Sequence, residues 1–312
     1  MGAVQTRQNF MKKTCIVIVG PTAAGKTDIA LLAAQYFQTS ILSADSRQCF
    51  KELNIGVAKP SAFQLQTVDH YFIDSHSIHD EVNAAVYEKY ALKKISNVFK
   101  TKDIAVVVGG TGLYVKSFCS GMDELPRVDP QIREKIMASF ELEGLEWLQQ
   151  EVEKTDPLYY EKGEIKNPQR MMRALEIKLS TGRSIIEFQT QQKKKRDFNL
   201  IKIGLELPKE QLHNNINRRV ESMIQKGLIN EVKALLPFKK LNGLQTVGYR
   251  ELFGHLAGDL SLEDAVEIIK INTRQYAKRQ MTWFKKDEEV NWCAPSFEKV
   301  MDLIKHKGLH NV

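Results

Sequence analysis

The sequence is poor in cysteine and contains no long apolar run. Its four cysteines, at positions 15, 49, 119 and 293, lie far apart and form no Cys-x-x-Cys pair. This spacing excludes a ribbon-type zinc site and favours a reducing compartment. The longest aliphatic runs, Ile16–Val19 and Ile104–Val108, are much shorter than the roughly 20 residues of a membrane span. Because the N-terminus has no signal-peptide pattern either, the sequence predicts a soluble, cytoplasmic protein with no membrane association.

Acidic residues are fewer than basic ones. The chain of 312 residues carries 45 lysines and arginines against 38 aspartates and glutamates, a formal net charge of +7. Such an excess suits a polyanionic partner without proving one. Hydrophobic residues make up 43% and charged residues 27%, a composition that excludes general disorder and supports a sizeable core. The length corresponds to about two domains of roughly 150 residues each.

Short apolar segments alternate with helical patterns in the first part of the chain. Cys15–Val19 and Ile104–Val108 are continuous apolar runs, and a shorter run leads into Ser43-Ala-Asp45. From Lys26 onward, apolar residues recur at intervals of three and four, which predicts an amphipathic helix. Apolar strands separated by helices are typical of a parallel sheet that is covered on both faces. We therefore predict an α/β fold.

The pattern changes between residues 123 and 197, where helical segments broken by prolines replace the apolar strands. Strand-like character returns at Leu200–Leu205, and helical patterns then continue to the end of the chain. We predict a core made of residues 1–122 and 198–312, interrupted by a helical insertion at 123–197. The basic run Lys193–Arg196 near the return point is interpreted as a solvated charge run rather than a nucleic-acid contact.

Residues Gly20–Thr27 match the phosphate-binding pattern Gly-x-x-x-x-Gly-Lys-[Ser/Thr], between a predicted strand and a predicted helix. In this arrangement, backbone N–H groups and the helix N-terminus surround a cluster of anionic oxygens. Lys26 supplies a positive charge for the outer phosphate, and the Thr27 hydroxyl offers a ligand to Mg²⁺. A glycine-rich turn without a ligand is the alternative. The remaining predicted phosphate contacts in the loop are Gly20, Thr22, Ala23, Ala24 and Gly25.

The sequence lacks the acidic residue that usually ends a second strand in a nucleotide hydrolase and holds Mg²⁺ there. The best candidate strand, Ile104–Val108, is followed by Gly109-Gly-Thr-Gly112. Small residues at this point leave room for a ligand or for backbone to approach closely. No segment resembles a hydrolase switch region. We therefore predict that the loop binds a phosphate-bearing ligand without turning over ATP.

Asp45 is the candidate acid beside this loop. It follows the second predicted strand, and the carboxyl ends of strands line the ligand crevice of an open α/β sheet. There it could act as a general base on an incoming nucleophile, hold Mg²⁺, or cap the next helix. The position favours the base and leaves the other two open. The side chains of Ser46, Arg47 and Gln48 are suited to hydrogen bonds with a polar group such as a nucleobase.

Residues Ile268–Lys286 contain six cations and no acid. Lys270, Arg274 and Lys278 recur every fourth residue and therefore share one face of the predicted helix. The segment also contains Arg279, Lys285, Lys286, Trp283 and Phe284. A solvated helical face is the alternative, but such faces usually mix the two signs of charge. The unmixed stripe favours contact with a phosphate backbone.

Eight motifs follow one another between about residues 14 and 286. The first four are Gly20-Pro-Thr-Ala-Ala-Gly-Lys-Thr27, Ser43-Ala-Asp-Ser-Arg-Gln48, Ile55-Gly-Val-Ala-Lys-Pro60 and Val108-Gly-Gly-Thr-Gly-Leu-Tyr114. The other four are Asn167-Pro-Gln-Arg-Met-Met-Arg-Ala-Leu-Glu176, Thr181-Gly-Arg183, Val247-Gly-Tyr-Arg250 and Asn272-Thr-Arg-Gln-Tyr-Ala-Lys-Arg-Gln-Met-Thr-Trp283. In this order they resemble the tRNA dimethylallyltransferases, which prenylate the adenosine next to the anticodon.

The resemblance implies a P-loop NTPase-like core whose loop holds the diphosphate of dimethylallyl diphosphate, with Mg²⁺, rather than ATP. Asp45 would be the general base that takes a proton from the exocyclic amine of the adenine. The amine would then attack the allylic carbon and expel diphosphate. Thr27 would lie at the diphosphate and the metal. The family often carries arginine where this chain has Asn215, so either Arg218 or Arg219 would reach the diphosphate.

The same resemblance implies a tRNA-binding surface. The segment Asp45–Gln48 would hold the flipped-out adenosine, Gln169–Arg173 of the insertion would grip the anticodon stem-loop, and Gln245–Arg250 and Lys278–Lys285 would line the tRNA channel. The predicted tRNA contacts are Asp45, Ser46, Arg47, Gln48, Thr111, Arg133, Gln169, Arg170, Met171, Met172, Arg173, Gln245, Arg250, Arg274, Lys278 and Arg279. We expect a monomer whose partners are the tRNA anticodon stem-loop and dimethylallyl diphosphate.

Two departures and three rival interpretations accompany the resemblance. Ala24 stands where the family usually has serine, with little expected effect because backbone atoms do most of the binding there. The zinc-finger tail of eukaryotic members is absent from the sequence, which indicates a bacterial-type enzyme. A small-molecule kinase explains the loop and Asp45 but gives no role to the insertion or the basic helix. The other rivals are a prenyl transferase acting on free adenine nucleotide and an RNA-binding protein with a vestigial loop.

Overall fold

In the computed structural model, residues 12–190 and 192–307 are described. Six strands of this part form one parallel sheet in the order β3-β2-β4-β1-β5-β6. They are β1 (Thr14–Val19), β2 (Ile41–Ser43), β3 (His70–Tyr71), β4 (Ile104–Val108), β5 (Asn199–Leu205) and β6 (Val290–Cys293). The predicted α/β class with a parallel sheet is confirmed.

The helices of the described residues fall into a first, a middle and a last group. The first group is α1 (Lys26–Tyr36), α2 (Ala62–Thr67), α3 (Ala84–Val98) and α4 (Gly112–Ser120). The middle group is α5 (Pro130–Thr155), α6 (Pro157–Lys162) and α7 (Pro168–Thr181). The last group is α8 (Lys209–Gln225), α9 (Leu228–Leu235), α10 (Tyr249–Ala257), α11 (Leu262–Phe284) and α12 (Phe297–His306). Single 3₁₀ turns lie at Ile185–Phe188, Leu236–Phe238 and Asn242–Leu244. None of the helices in these described ranges is long and apolar enough to cross a membrane.

The centre of the sheet is β1, which pairs with β4 from Thr14 opposite Ile104 and with β5 from Thr14 opposite Asn199. Every residue of β1 is buried. Because successive side chains of a strand point to opposite faces, this burial means that both faces of the sheet are covered at its centre. The strand that the apolar run 104–108 predicts is found with the same limits as β4.

The edge strands β3 and β6 were not predicted. The sequence interpretation assigned only helical patterns after β5, yet Val290–Cys293 pairs with β5. Both strands are short, and β6 contains the polar residue Asn291. An edge strand has one neighbour rather than two and lacks the continuous apolar run of a central strand, so its sequence carries little signal.

The chain divides into two compact units, residues 1–120 with 195–312, and residues 121–194. The sequence-predicted limits of the insertion, 123 and 197, differ from these by two and three residues. Residues 1–11 and 308–312 of the predicted core lie outside the described residues. The first unit contains the parallel sheet, and the second is helical.

The helical unit has a core of its own. Its buried residues are Ile136, Leu148, Val152, Tyr159, Met171, Met172, Ala174, Leu175, Ile177 and Ile185. Prolines that were predicted to break helical segments instead begin α5, α6 and α7, because the first helical position needs no backbone N–H donor. The preceding side chains, Asp129, Asp156 and Asn167, accept hydrogen bonds from the first-turn N–H groups. Within α5 the helical backbone is interrupted at Gly144, where φ is +81°.

Candidate active site at the phosphate loop

The loop between β1 and α1 has the backbone of an anion-binding turn. Positive φ angles occur at Gly20 (+145°), Ala23 (+63°) and Gly25 (+81°). At Gly20 a Cβ would lie 2.6 Å from the carbonyl oxygen of Leu205, so only glycine fits. Gly25 caps α1 without any side-chain hydrogen bond, which leaves the first N–H groups of the helix for a ligand. Ala24, at the position where the family has serine, is buried.

A cavity of about 460 Å³ opens in front of this loop. Its lining residues are Ala23, Gly25, Lys26, Thr27, Asp28, Asn215, Arg218 and Arg219. Nζ of Lys26 donates a hydrogen bond to the carbonyl oxygen of Pro21 at 2.6 Å. Burial, together with the neighbouring charge of Arg219, lowers the pKa of Lys26 to about 7, while the charge of Asp45 opposes this shift. An anion in the cavity would stabilise the charged form of Lys26.

Two arginines of α8 border the cavity in different ways. Arg218 is exposed and donates to Oδ1 of Asn215 at 2.6 Å. Arg219 is half-buried, and desolvation lowers its pKa while the charge of Asp45 raises it. The amide of Asn215 in turn donates to the carbonyl oxygen of Ala23 at 3.2 Å. Asn215 therefore ties α8 to the loop, and Arg219 is the arginine grouped electrostatically with Asp45.

The carboxylate of Asp45 both caps a turn and keeps one oxygen open. Its Oδ1 accepts hydrogen bonds from the backbone N–H of Arg47 at 2.8 Å and of Gln48 at 3.2 Å. In the part of the chain that the structure describes, Oδ2 has no hydrogen-bond partner. The capping interpretation therefore holds for Oδ1. It does not exclude the general-base interpretation, because the second oxygen remains available.

Thr111 and Tyr276 lie beside this carboxylate. Oγ1 of Thr111 accepts a hydrogen bond from the backbone N–H of Ser46 at 3.0 Å and donates to Oγ of Ser46 at 3.3 Å. The hydroxyl of Tyr276, on α11, lies near Thr111. Desolvation, reinforced by the negative charge of Asp45, raises the pKa of Tyr276 to about 12. Sequence analysis missed Tyr276, although its spacing of four residues from Gln280 gives both one helix face.

The side chain of Gln48 is engaged inside the protein. Its Nε2 donates to the carbonyl oxygens of Val57 at 3.3 Å and Ala58 at 3.1 Å, and its Oε1 accepts from Oγ of Ser43 at 3.2 Å. Arg47, in contrast, is half-buried and has no ion-pair partner among the described residues. Of the side chains predicted to read a nucleobase, Gln48 is held by the fold and Arg47 is available.

The glycine loop after β4 is filled by protein. A Cβ at Gly109 would lie 2.2 Å from the carbonyl oxygen of Ala44, which is the close backbone approach that the sequence predicts. At Gly110 and Gly112, however, side chains of α11 occupy the space: a Cβ would lie 2.2 Å from Nε2 of Gln280 and 2.3 Å from the Trp283 ring, respectively. The expected room for a ligand at these two glycines is therefore taken by α11.

Several cations of the predicted basic segment have partners within the protein, and two of them pair with carboxylates distant in the sequence. Lys270 pairs with Glu267 at 2.7 Å and Glu221 at 3.0 Å, and only 12% of its side chain is exposed. Arg274 donates to Oδ1 of Asn217 at 2.7 Å. Lys285 pairs with Glu206 at 2.7 Å. The cations of α11 that remain exposed, without an ion pair in the described part of the chain, are Lys278 and Arg279. The prediction of one continuous phosphate-binding stripe is wrong for Lys270.

The basic run Lys193–Arg196 is not a uniformly solvated segment. The side chain of Arg196 is only 9% exposed, pairs with Glu88 at 2.7 Å and donates to the carbonyl oxygens of Ser117 and Phe118. Lys194 lies 3.8 Å from Glu124. The interpretation as a solvated charge run is therefore wrong for Arg196, which is an internal anchor.

The predicted tRNA contacts of the helical unit differ in accessibility. Met171 and Met172 are buried in the core of that unit, so their side chains do not reach its surface. The buried carboxylate of Glu176 holds Arg173 at 2.9 Å and Arg133 at 3.7 Å. The exposed members of the set are Arg133, Gln169 and Arg170, and of these only Arg133 lies near the Glu176 carboxylate.

A carboxylate that sequence analysis missed anchors the segment before Val57. Glu231, on α9, accepts hydrogen bonds from the backbone N–H groups of Asn54, Ile55 and Gly56 at 2.7 to 3.2 Å, and from the Tyr249 hydroxyl at 2.6 Å. Tyr249 is fully buried. Within the predicted tRNA segment 245–250, the terminal residues Gln245 and Arg250 are exposed. No spacing in the sequence signals this cluster.

The residues at the loop fit a magnesium ion bound together with a phosphate ligand. No group of three histidine, cysteine or acidic side chains in the described residues could hold a metal by itself. Mg²⁺, however, usually keeps several waters and binds through one or two protein oxygens plus substrate phosphates. Thr27 lines the cavity and carries a hydroxyl oxygen, and the second oxygen of Asp45 has no hydrogen-bond partner among the described residues. These are the two oxygen donors that could hold the ion.

The phosphate loop joins the buried central strand β1 to the helix α1. This arrangement defines a P-loop α/β protein. A model of the IPP transferase family matches residues 48–287. The chain belongs to this family. The predicted family, the P-loop fold class and the assignment as a prenyl-transferring enzyme are thereby confirmed.

Individual relatives agree with this assignment. The chain is 44% identical over 299 residues to tRNA dimethylallyltransferase 1 of Bacteroides thetaiotaomicron, covering 96% of each. It is 45% identical over 287 residues to tRNA dimethylallyltransferase of Cytophaga hutchinsonii, covering 92% of this chain and 94% of the relative. The crystal structure of full-length tRNA isopentenylpyrophosphate transferase from Bacillus halodurans is similar with a TM-score of 0.69 and 31% identity, over 96% of this chain and 100% of the other.

A further solved structure shares the fold at lower identity. It is a eukaryotic dimethylallyltransferase acting on tRNA, with a TM-score of 0.72 and 24% identity, over 93% of this chain and 76% of the other.

Proposed function

We propose that the protein transfers a dimethylallyl group from dimethylallyl diphosphate to N6 of the adenosine adjacent to the anticodon, position 37, of tRNA. In this reaction N6 attacks the allylic carbon, the bond from that carbon to the diphosphate oxygen breaks, and diphosphate leaves. The proton lost by the amine goes to Asp45. The observation that carries the proposal is the grouping of an anion cavity with an open carboxylate oxygen.

The charges around the loop suit a diphosphate leaving group. Lys26 and Arg219 lie close enough to Asp45 for its charge to affect the pKa of each. Leaving-group departure builds negative charge on the diphosphate, and fixed positive groups that face this charge lower the barrier. A magnesium ion held through Thr27 would add further positive charge at the same oxygens. The backbone N–H groups at the start of α1 complete the set.

The carboxylate of Asp45 suits the acceptor side of the reaction. Adenine N6 is a poor nucleophile, so positioning and a base are both needed. Because Oδ1 is held by two backbone N–H groups, the carboxylate is oriented and Oδ2 is left to accept the proton. The hydroxyls of Thr111 and Tyr276 lie beside it and are suited to hydrogen-bond the base.

We propose that the tRNA contacts lie among the exposed polar residues of the predicted set. The exposed residues are Arg133, Gln169, Arg170, Gln245, Arg250, Lys278 and Arg279, and we add Arg47, which is half-buried but available. A base stacked inside an RNA loop must be splayed out before reaction, which costs a few kcal/mol that backbone contacts can supply. We also propose that the protein acts in the cytoplasm, where tRNA is found, and that it acts as a monomer, because one chain contributes every group of the site.

The test is transfer of a radiolabelled dimethylallyl group to unmodified tRNA in the presence of Mg²⁺. We expect label in tRNA and its loss when the adenosine beside the anticodon is replaced by guanosine. Free AMP serves as a competing acceptor, and ATP consumption is followed in parallel. Label in AMP alone would identify a transferase of free nucleotides. ATP consumption without label transfer would overturn the assignment of the loop and identify a kinase-type reaction.

A further inference from the structure

The side chain of Gln280 is a buried polar group that joins three elements. It belongs to α11 and is 6% exposed. Its Oε1 accepts a hydrogen bond from the backbone N–H of Thr22, in the phosphate loop, at 2.8 Å. Its Nε2 donates to the carbonyl oxygen of Gly110, after β4, at 2.9 Å. A single amide therefore connects α11 to both loops.

This amide is matched to its surroundings at both ends. A flipped amide would set two donors against each other at Thr22 and two acceptors against each other at Gly110, so one orientation alone satisfies both. Gly110 is itself adapted to Gln280, because a Cβ there would lie 2.2 Å from Nε2. Burial without these partners would leave polar groups unpaired, at a free-energy cost.

The connection to Thr22 bears on the strained part of the loop. Ala23, the next residue, has a φ of +63°, a conformation that residues other than glycine adopt only with outside support. The hydrogen bond to Gln280 holds the peptide between Pro21 and Thr22, one residue before this position. The conformation of the loop therefore depends on where α11 lies.

The opposite side of α11 carries the proposed RNA contacts. Lys278 and Arg279 precede Gln280 directly and are exposed. One turn further on, the Trp283 ring packs against Gly112. In this stretch the helix therefore contacts the loops with its buried side and presents cations to solvent on its other side.

We propose that Gln280 is a positioning residue that couples RNA binding on the exposed side of α11 to diphosphate binding in the loop at Gly20–Thr27. The inference rests on the proposed function, which assigns these two ligands to the two places. Bound RNA that stabilises the position of α11 would, through Gln280, also stabilise the anion-binding conformation of the loop. The coupling is reciprocal, so diphosphate would strengthen RNA binding by the same factor.

The test measures binding of inorganic pyrophosphate with Mg²⁺ by calorimetry, with and without an RNA anticodon stem-loop. The variant is Gln280→Met, which keeps the length of the side chain and removes both hydrogen bonds. The matched control is Gln275→Met, the same change at an exposed position of the same helix. We expect RNA to strengthen pyrophosphate binding in the wild type and the control. In Gln280→Met, binding should be about tenfold weaker, as for loss of a buried hydrogen bond, and independent of RNA.

The outcomes separate this inference from the proposed function. If the wild type binds pyrophosphate and Gln280→Met retains both its affinity and its dependence on RNA, the coupling role is refuted. A lowered Tm with unchanged binding would mean a purely structural role and also refute it. If the wild type binds no pyrophosphate, the proposed function fails along with the inference.

A second variant guards against misfolding. Gln280→Glu keeps an acceptor for the Thr22 N–H but sets an oxygen against the Gly110 carbonyl. It should lose the dependence on RNA, and wild-type coupling in this variant would contradict the proposal.

Discussion

Substitution of Asp45 by asparagine tests the proposed chemistry most directly. Asparagine keeps an oxygen at Oδ1, so the hydrogen bonds from Arg47 N–H at 2.8 Å and Gln48 N–H at 3.2 Å can persist. A cap of this kind contributes about 1 kcal/mol to stability, and Asp45→Asn should retain most of it. The variant therefore changes the second oxygen, the proposed proton acceptor, while the turn keeps its shape.

The expected loss in turnover follows from the role of a general base. Removal of such a group costs about 100-fold or more in kcat, which corresponds to roughly 2.7 kcal/mol of barrier at room temperature. A second effect concerns Lys26, because the charge of Asp45 helps to keep its pKa from falling further. Without that charge Lys26 loses its proton at lower pH. KM for dimethylallyl diphosphate should therefore rise above pH 7 and recover below it.

The assay is label transfer to tRNA at several pH values, with tRNA binding measured separately. We expect near-normal tRNA binding and an unchanged Tm in Asp45→Asn. Asp103→Asn is the control, since Asp103 precedes β4 and lies at the amino end of the strands, away from the loop. A wild-type kcat in Asp45→Asn would remove Asp45 from the mechanism. A large fall in Tm would mean instead that the carboxylate acts chiefly as a cap.

Three further predictions concern Lys26 in the phosphate loop, Glu231 on α9 and the cations of α11. Pyrophosphate binding at pH 8 should take up protons, because Lys26, with a pKa of about 7 in the free protein, must be charged to hold the anion; calorimetry in two buffers measures this. Glu231→Gln should lower the free energy of unfolding by about 1 to 3 kcal/mol, because the amide cannot accept from all of its N–H donors; urea denaturation measures this. Lys278→Ala and Arg279→Ala should each reduce the salt slope of tRNA binding by about 1, whereas Lys270→Ala, which removes an ion-paired lysine, should not.

Each of these predictions has its own control or contrary result. For proton uptake, Lys26→Arg replaces the titrating group by one that stays charged, so equal uptake in this variant and the wild type would contradict the argument. For the Glu231→Gln prediction, the control is Glu263→Gln, which makes the same change at an exposed position of α11. Equal stability of the two glutamate variants would mean that the four hydrogen bonds contribute nothing. An equal salt slope of tRNA binding in all three cation variants would contradict the proposed RNA contact and leave α11 with a purely structural role.

The local sequence pattern was sufficient to predict the central strands of the sheet and the phosphate loop. Strand β4 has the limits that its apolar run predicts, and α1 begins at Lys26 as predicted. Both results follow from interactions among near neighbours: a central parallel strand must be apolar along its length, and a helix begins where the glycines of the loop end. The phosphate-binding character of the loop could likewise be predicted from eight consecutive residues, Gly20–Thr27.

The chemical surroundings of the loop depend on contacts between residues far apart in the sequence. Thr22 and Gln280 are separated by 258 residues, and Ile55 and Glu231 by 176. Neither partner has a spacing or composition that identifies the other. The sequence therefore contains these residues without indicating that they meet.

The charges on and beside α11 show the same difference between what the sequence determines and what the tertiary structure decides. In the sequence, the segment Ile268–Lys286, which covers most of α11 and the two residues after it, carries only positive charge, and a uniform phosphate-binding stripe is the natural prediction. Packing brings Glu221 and Glu206 from other parts of the chain to Lys270 and Lys285. A sequence determines which charges an element carries. Only the tertiary structure decides which of them remain unpaired, because the strength of an ion pair depends on distance and burial.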